Sequence, residues 1–537
     1  MAADAHRIVV APNPSVNAVG LANPESEGSH RTTHGGGMNE SVAGDRDRRR
    51  SAQRRMLVLC VGLGVGVVST GAALVPSTLR PATVAELLAA ASHRPDYASY
   101  IAAVRASERV DAAGHRAVAI PAFARKYNMA CSACHTAWPE LNAFGLRFKD
   151  NGYQLGNDRD SPIWVNPSYI PFAIRTTPGW RLERTTHQPV DDGLGGTNNV
   201  EQTITQSGFD ISGADLLMMG TLYKDITFGF VPTVADGEGV GIEAAFVRFD
   251  NLFKSPWANL KIGKFEMDNL LSEKRGMMLS SNGAFYQSYH FAPVGSASAF
   301  GLGDNQIGAE WLGHSSNSYT RFSVAVLGSV DGTPGLPSGK SYDGAVTLSH
   351  AFDAGKLGVE RIGLYGYLGR RPTAFETSGG EPIPGTGTGN KSFYRVGAVG
   401  DFFLGKLEII PFVLHGSDSK DLAGGTRAAT WNSGLVEFHY YVHPQLVFTQ
   451  RDEIIRMSRQ ALSSTPKTLG NIDAFTFGYR WYPIMFSRAG LAMVGEVSFT
   501  KTIGTVPLSE DGVGLDPLSP STPVRSTSVL LALDFDF

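Results

Sequence analysis

With only three cysteines in 537 residues, the chain has no cysteine pair beyond Cys131 and Cys134. A tetrahedral zinc site needs further Cys or His at close spacing, and none lies near that pair. Charge is sparse too, at 18% Asp, Glu, Lys and Arg with a formal net of -3. That balance lacks the basic excess of a nucleic-acid partner, while 42% hydrophobic residues are too many for a disordered chain. Runs long enough to span a bilayer as a helix are scarce, Met56 to Val75 being the exception. What is plentiful is Gly, at 62, beside 29 Phe and 17 Tyr. Such a composition suits a sheet protein with tight turns and interfacial rings. A chain of this length can hold several domains, although barrels run long as single domains.

The most specific chemical signal is Cys131-Ser-Ala-Cys134-His135. Cys-x-x-Cys-His is the attachment pattern of c-type haem: two thiols bond covalently to the vinyl groups, and the following imidazole reaches the iron. A redox dithiol also uses Cys-x-x-Cys but wants a βαβ context, which is missing here. Cys60 sits at the start of the apolar run, the wrong end for a lipid-modified cysteine, and reads as a small apolar residue.

Residues 1–80 read as a disordered N-terminus followed by a signal peptide, with residues 56–75 as its apolar core. Arg48-Arg49-Arg50 and Arg54-Arg55 precede that core and small residues follow it, the layout of an export signal. A start at Met38 leaves a signal of normal proportions. A spanning helix and a twin-arginine signal are the weaker readings. Residues 81–117 carry Val84, Leu87, Leu88 and Ala91, then Tyr97, Ile101 and Val104, at helical spacing. They are expected to form a helical periplasmic linker.

Residues 118–160 form the haem-binding segment, expected as short and helical. A stretch of this size seldom builds a core of its own. Trp138, Leu141, Phe144, Leu146 and Phe148 can cover part of one haem face, and the remaining walls must come from the larger domain.

That domain, 165–537, consists of segments with alternating polarity. In Phe475-Thr476-Phe477-Gly478-Tyr479-Arg480-Trp481 the odd positions are aromatic. In the final residues, Val529, Leu531, Leu533, Phe535 and Phe537 alternate with Leu530, Ala532, Asp534 and Asp536. A sandwich would alternate as well, but its joins would not. Reading back from the C-terminus, long joins (502–526, 451–471, 415–432, 370–392 and 328–341) alternate with short ones (483–488, 443–444, 404–405, 353–358 and 314–317). Long extracellular loops and short periplasmic turns are a property of outer-membrane barrels. The expected fold is therefore mainly β: a transmembrane barrel of about 16 antiparallel strands. The join from Met267 to Gly303 is longer than its position needs, and either folds inward as a constriction or lies on the surface.

Pro121-Ala122-Phe123-Ala124-Arg125, Cys-x-x-Cys-His, Pro139-Glu140-Leu141, Phe144-Gly145, Phe148-Lys149 and Gly152-Tyr153, followed by a porin-like remainder, resemble the fused monohaem cytochrome-porin family of the outer membrane, which includes cytochromes of extracellular iron(II) oxidation. The resemblance implies one covalent haem c and electron transfer between an extracellular donor or acceptor, iron among them, and a periplasmic electron-carrier cytochrome. Outer-membrane lipid is the other expected partner, and nucleic acid is not one. Cys131 and Cys134 would be tethers and His135 the proximal ligand. For the sixth ligand His115 is one candidate; His439, which shares its strand face with Glu437, is another; Met129 is too close to the tether; another residue or an open position stands beside them. The alternative functions are a diffusion porin with a sensory or vestigial haem segment, and a haem enzyme such as a peroxidase.

Overall fold

The computed structural model describes Phe123, residues 134–154 apart from 138, and residues 172–536 apart from 192–198, 236–238, 269–276, 281–285, 297, 299, 331, 333–340, 373–376, 379–380, 383–389, 444, 486–489 and 505–520. The expectations for residues 1–122, including the export signal and the linker, lie outside the described residues.

Ahead of the barrel come β1 (His135–Ala137), β2 (Glu140–Leu141) and α1 (Ala143–Asp150). The barrel strands in its first half are β3 (Phe172–Asp191), β4 (Asn199–Tyr223), β5 (Ile226–Ala235), β6 (Gly239–Phe249), β7 (Asn259–Glu266), β8 (Asn305–His314), β9 (Thr320–Gly328), β10 (Tyr342–Asp353) and β11 (Val359–Pro372). A two-residue pair, β12 (Thr377–Ser378) with β13 (Glu381–Pro382), decorates the next join. The barrel continues with β14 (Asn390–Leu404), β15 (Leu407–Asp418), β16 (Ala429–His443), β17 (Leu446–Arg459), β18 (Ile472–Met485), β19 (Gly490–Ile503) and β20 (Pro523–Asp536). Each strand pairs antiparallel with its neighbours in sequence, and β20 closes on β3 with Val529 opposite Leu182. The result is a closed barrel of sixteen strands, as the alternation predicts.

The pleat sorts the side chains. Along β9, Arg321, Ser323, Ala325 and Leu327 are buried while Val324 and Val326 are exposed. The neighbouring strands repeat the arrangement, with Val346, Leu348, Ile362, Leu364, Val396 and Val413 exposed. An aliphatic band of this extent is not covered by water; a bilayer covers it, and closure leaves no strand edge unpaired within it. The chain is thus a porin-like barrel of the outer-membrane type. In the C-terminal half the joins alternate between long and short as expected. Earlier the rule breaks, because 236–238 is short on the long-loop rim and 250–258 is longer on the short-turn rim.

On the inner face, wall charges face parts of the same chain. Arg321 on β9 forks onto the Asp150 carboxylate at 2.8 and 2.7 Å and reaches Asp268, at the start of the long inner join, at 2.7 Å. Burial disfavours the Asp150 charge, but the Arg321 guanidinium overrides it and holds the carboxyl below the ordinary range. Wall, inner join and α1 therefore meet at one guanidinium. Replacing it strands two buried carboxylates, so Arg321→Leu is expected to cost roughly 3–5 kcal/mol, read as a lower denaturant midpoint of the refolded barrel in detergent. The exposed Arg525→Leu should change it by less than about 0.5 kcal/mol; equal effects from both would contradict the pairing.

Candidate functional site

His135 opens β1, and its Nδ1 lies 3.1 Å from the Pro139 carbonyl and 3.2 Å from the Glu140 carbonyl. Those contacts assign the proton to Nδ1, the tautomer that a proximal ligand bonding through Nε2 requires. Burial lowers the His135 pKa to about 4, with the two carbonyls offsetting part of that drop. The imidazole is therefore neutral at neutral pH, as metal ligation needs. The turn that presents these carbonyls is the β1–β2 hairpin, which the expectation of a helical segment did not include.

Behind the hairpin, Asn142 caps α1 by accepting from the Gly145 N–H at 2.9 Å. Its own N–H donates to the Cys134 carbonyl at 2.9 Å. A Cβ on Gly145 would stand 2.1 Å from that same carbonyl oxygen, so only glycine lets the helix lie this close to the cysteine. Phe144, Leu146 and Phe148 are buried, and Phe123 stacks on Tyr153 with centroids 5.2 Å apart. These residues fit a c-type haem: a correctly tautomerised imidazole, a thiol three residues along from its partner, and apolar side chains around them. Cys131, His115 and Met129 lie outside the described residues.

The wall holds this segment at three places. Arg248 donates to the Lys149 and Asp150 carbonyls at 2.9 and 2.6 Å, supplying the partners that the end of α1 lacks. Gln154 donates to the Lys224 carbonyl at 2.7 Å. Glu140 enters a buried polar cluster on β15 and β16, where Glu408 and His439 face each other across the sheet. His439 Nδ1 lies 3.0 Å from Glu140 and 2.9 Å from Glu408, and its Nε2 lies 2.6 Å from Glu437. Tyr441 Oη reaches Glu140 at 2.9 Å and Glu408 at 2.6 Å. Glu437 is held in turn by Arg451 at 2.8 Å and by Tyr286 at 3.1 Å. His439 thus points inward with Glu437 as its strand position implies, but both its ring nitrogens are directed at carboxylates.

The join after β7 turns into the lumen. Ser288 Oγ donates to Glu453 at 3.0 Å, Leu279 and Ser280 N–H donate to Glu496, and Ser298 donates to Asp418. Its α2 (Gln287–His290) and flanking rings pack on the inner wall: Tyr289 on Phe412, Phe291 on Trp431 and Phe300 on Tyr367, with centroids 5.1, 5.2 and 3.9 Å apart. Of the two readings of this join, the inward one holds.

Glu408, Tyr441, Arg321 and Asp150 were not singled out from sequence, and Glu140 was picked out only within the Pro139-Glu140-Leu141 match. Glu408 carried a usable signal, being a carboxylate at an inward position of an otherwise apolar strand, LEIIPFVL. Its partners could not be read because they come from strands and a segment distant in sequence.

No family model matches the chain, and no curated protein matches it. Among solved structures it is similar to an anion-selective porin from Comamonas acidovorans, at 13% identity and a TM-score of 0.43 over 68% of this chain and 99% of that one. It is also similar to OmpT of Vibrio cholerae, at 12% identity and a TM-score of 0.40 over 67% and 97%. OprB of Pseudomonas putida gives 9% identity and a TM-score of 0.43 over 68% and 94%. Likeness at this level carries no functional argument, and the barrel rests on its own pairing.

In haem-free protein, His135 is expected to titrate near pH 4 in NMR rather than at the usual value of about 6.5. Because the unfolded imidazole binds its proton first, the segment loses stability as pH falls from about 6.5 to about 4. A normal titration would contradict the buried, carbonyl-bonded ring. Gly145→Ala should lower covalent haem content several-fold without unfolding the barrel; unaltered haem content would refute the close approach to Cys134.

Proposed function

We propose that this chain is an outer-membrane electron-transfer protein. A haem c tethered at Cys131 and Cys134 and ligated by His135 carries electrons between an extracellular donor or acceptor, with iron(II) among the donors, and a periplasmic electron-carrier cytochrome. The observation that carries the reading is the His135 ring within Cys-x-x-Cys-His, whose Nδ1 is held by the Pro139 and Glu140 carbonyls.

When bound, the haem supplies one-electron redox chemistry at a potential set by its ligands, burial and hydrogen bonds. The chain's own residues set those terms. The Pro139 and Glu140 carbonyls orient His135 and make it a better donor to iron. Arg248, Arg321 and the Glu408–His439–Tyr441 cluster fasten the segment to the inner wall. That placement bears on distance, since the apolar band of such a barrel is about 25 Å tall, too far for one efficient hop from a haem lying beyond the rim. Docking inside the lumen shortens the path from the long loops. The short-turn rim, next to which the segment docks, is then the periplasmic one. The packing of the inner join on the lumenal wall favours this reading over the diffusion porin.

Purified protein should contain one haem c per chain by pyridine haemochrome, lost when Cys131 and Cys134 are both replaced by Ala. His115→Ala should convert a low-spin spectrum to high spin where His115 is the sixth ligand. Mixing with iron(II) in a stopped-flow instrument should reduce the haem. Absence of covalent haem, or a haem that no extracellular donor reduces, would sink the proposal.

A further inference from the structure

We infer that Glu140, Glu408 and His439 form a site for one divalent first-row metal ion, separate from the haem and joining the haem segment to the barrel wall. Glu140 Oε2, Glu408 Oε2 and His439 Nδ1 lie within 4.8 Å of one another, all three residues are buried, and Tyr441 Oη completes the group. An octahedral ion with bonds of about 2.1 Å holds neighbouring ligands about 3.0 Å apart. The edges here are 3.0 and 2.9 Å from His439 Nδ1 to the carboxylates, with Tyr441 at 2.9 Å from Glu140 and, shorter, at 2.6 Å from Glu408.

A further observation points to a cation rather than to a hydrogen-bonded cluster alone. It lies behind the imidazole: a metal-bound histidine almost always donates its other N–H to a carboxylate that is itself held in place. His439 Nε2 meets Glu437 at 2.6 Å, and Glu437 is fixed by Arg451 and Tyr286. Two carboxylates and one imidazole suit Mn(II) or Fe(II) better than a soft ion.

The site does not depend on the haem, since its ligands are protein side chains; its consequence for the haem is that the residue whose carbonyl orients His135 would be pinned to the wall. The test uses the full-length protein in detergent, stripped with chelator and titrated with Mn2+, with bound and free ion distinguished by EPR. One Mn2+ per chain is expected. Glu408→Gln and His439→Gln should weaken binding at least ten-fold, and Glu437→Gln roughly 10–100-fold through its bond to the imidazole. Asp473→Asn, on an exposed surface pair, should leave it unchanged. Heat-modifiable gel migration reports whether each variant has folded, and any one folded variant decides the matter. No Mn2+ binding, or binding equal in the wild type and the folded cluster variants, overturns the site. Haem content measured on the same samples separates that outcome from failure of the electron-transfer reading.

Discussion

A closed barrel turns one face of every strand toward an enclosed space, and the charges on that face must find partners there. In this chain the partners are two pieces of its own sequence. Arg248 and Arg321 take the end of α1, Glu453 and Glu496 take backbone N–H groups of the inner join, and His439 and Tyr441 take Glu140. A buried charge left alone costs several kcal/mol, so the wall and its contents specify each other. The plug is part of the fold.

This dependence links packing to chemistry. The hairpin that orients His135 ends in Glu140, and the side chain of Glu140 is bound to His439 and Tyr441 on β16. The imidazole is thus referred to the barrel through one residue that uses its carbonyl on the ring and its carboxylate on the wall. Arg321 does the same for the far end of the segment, and because it also holds Asp268 it ties that segment to the inner join. Rings of that join then pack on the inner wall at Phe412, Trp431 and Tyr367.

Much of this was legible in the sequence, for a physical reason. Alternation has a period of two and is local, so Phe475, Phe477, Leu531 and Leu533 announced their outward face and Arg480 and Asp534 their inward one. The Cys-x-x-Cys-His pattern is local as well, and it points to His135, whose ring the structure places against the Pro139 and Glu140 carbonyls. The lumen contacts were not legible. Glu140 meets Glu408 and His439 across hundreds of residues, and an inward carboxylate on a strand looks the same whether it faces water or a partner. The long–short rhythm of joins misled only near β5 to β7, and the length of 267–303 gave the hint of an inward turn without its contacts. The hairpin at His135 was hidden because a three-residue strand carries no periodicity.

The proposed function requires the N-terminal segment and the inner join to close the lumen. Planar-bilayer recording of the purified, refolded chain tests this directly. The filled barrel should give no steady open-channel conductance, and Glu140→Ala combined with Arg321→Ala should raise conductance by loosening the plug. Stable channels of ordinary porin size from the wild-type protein would contradict it.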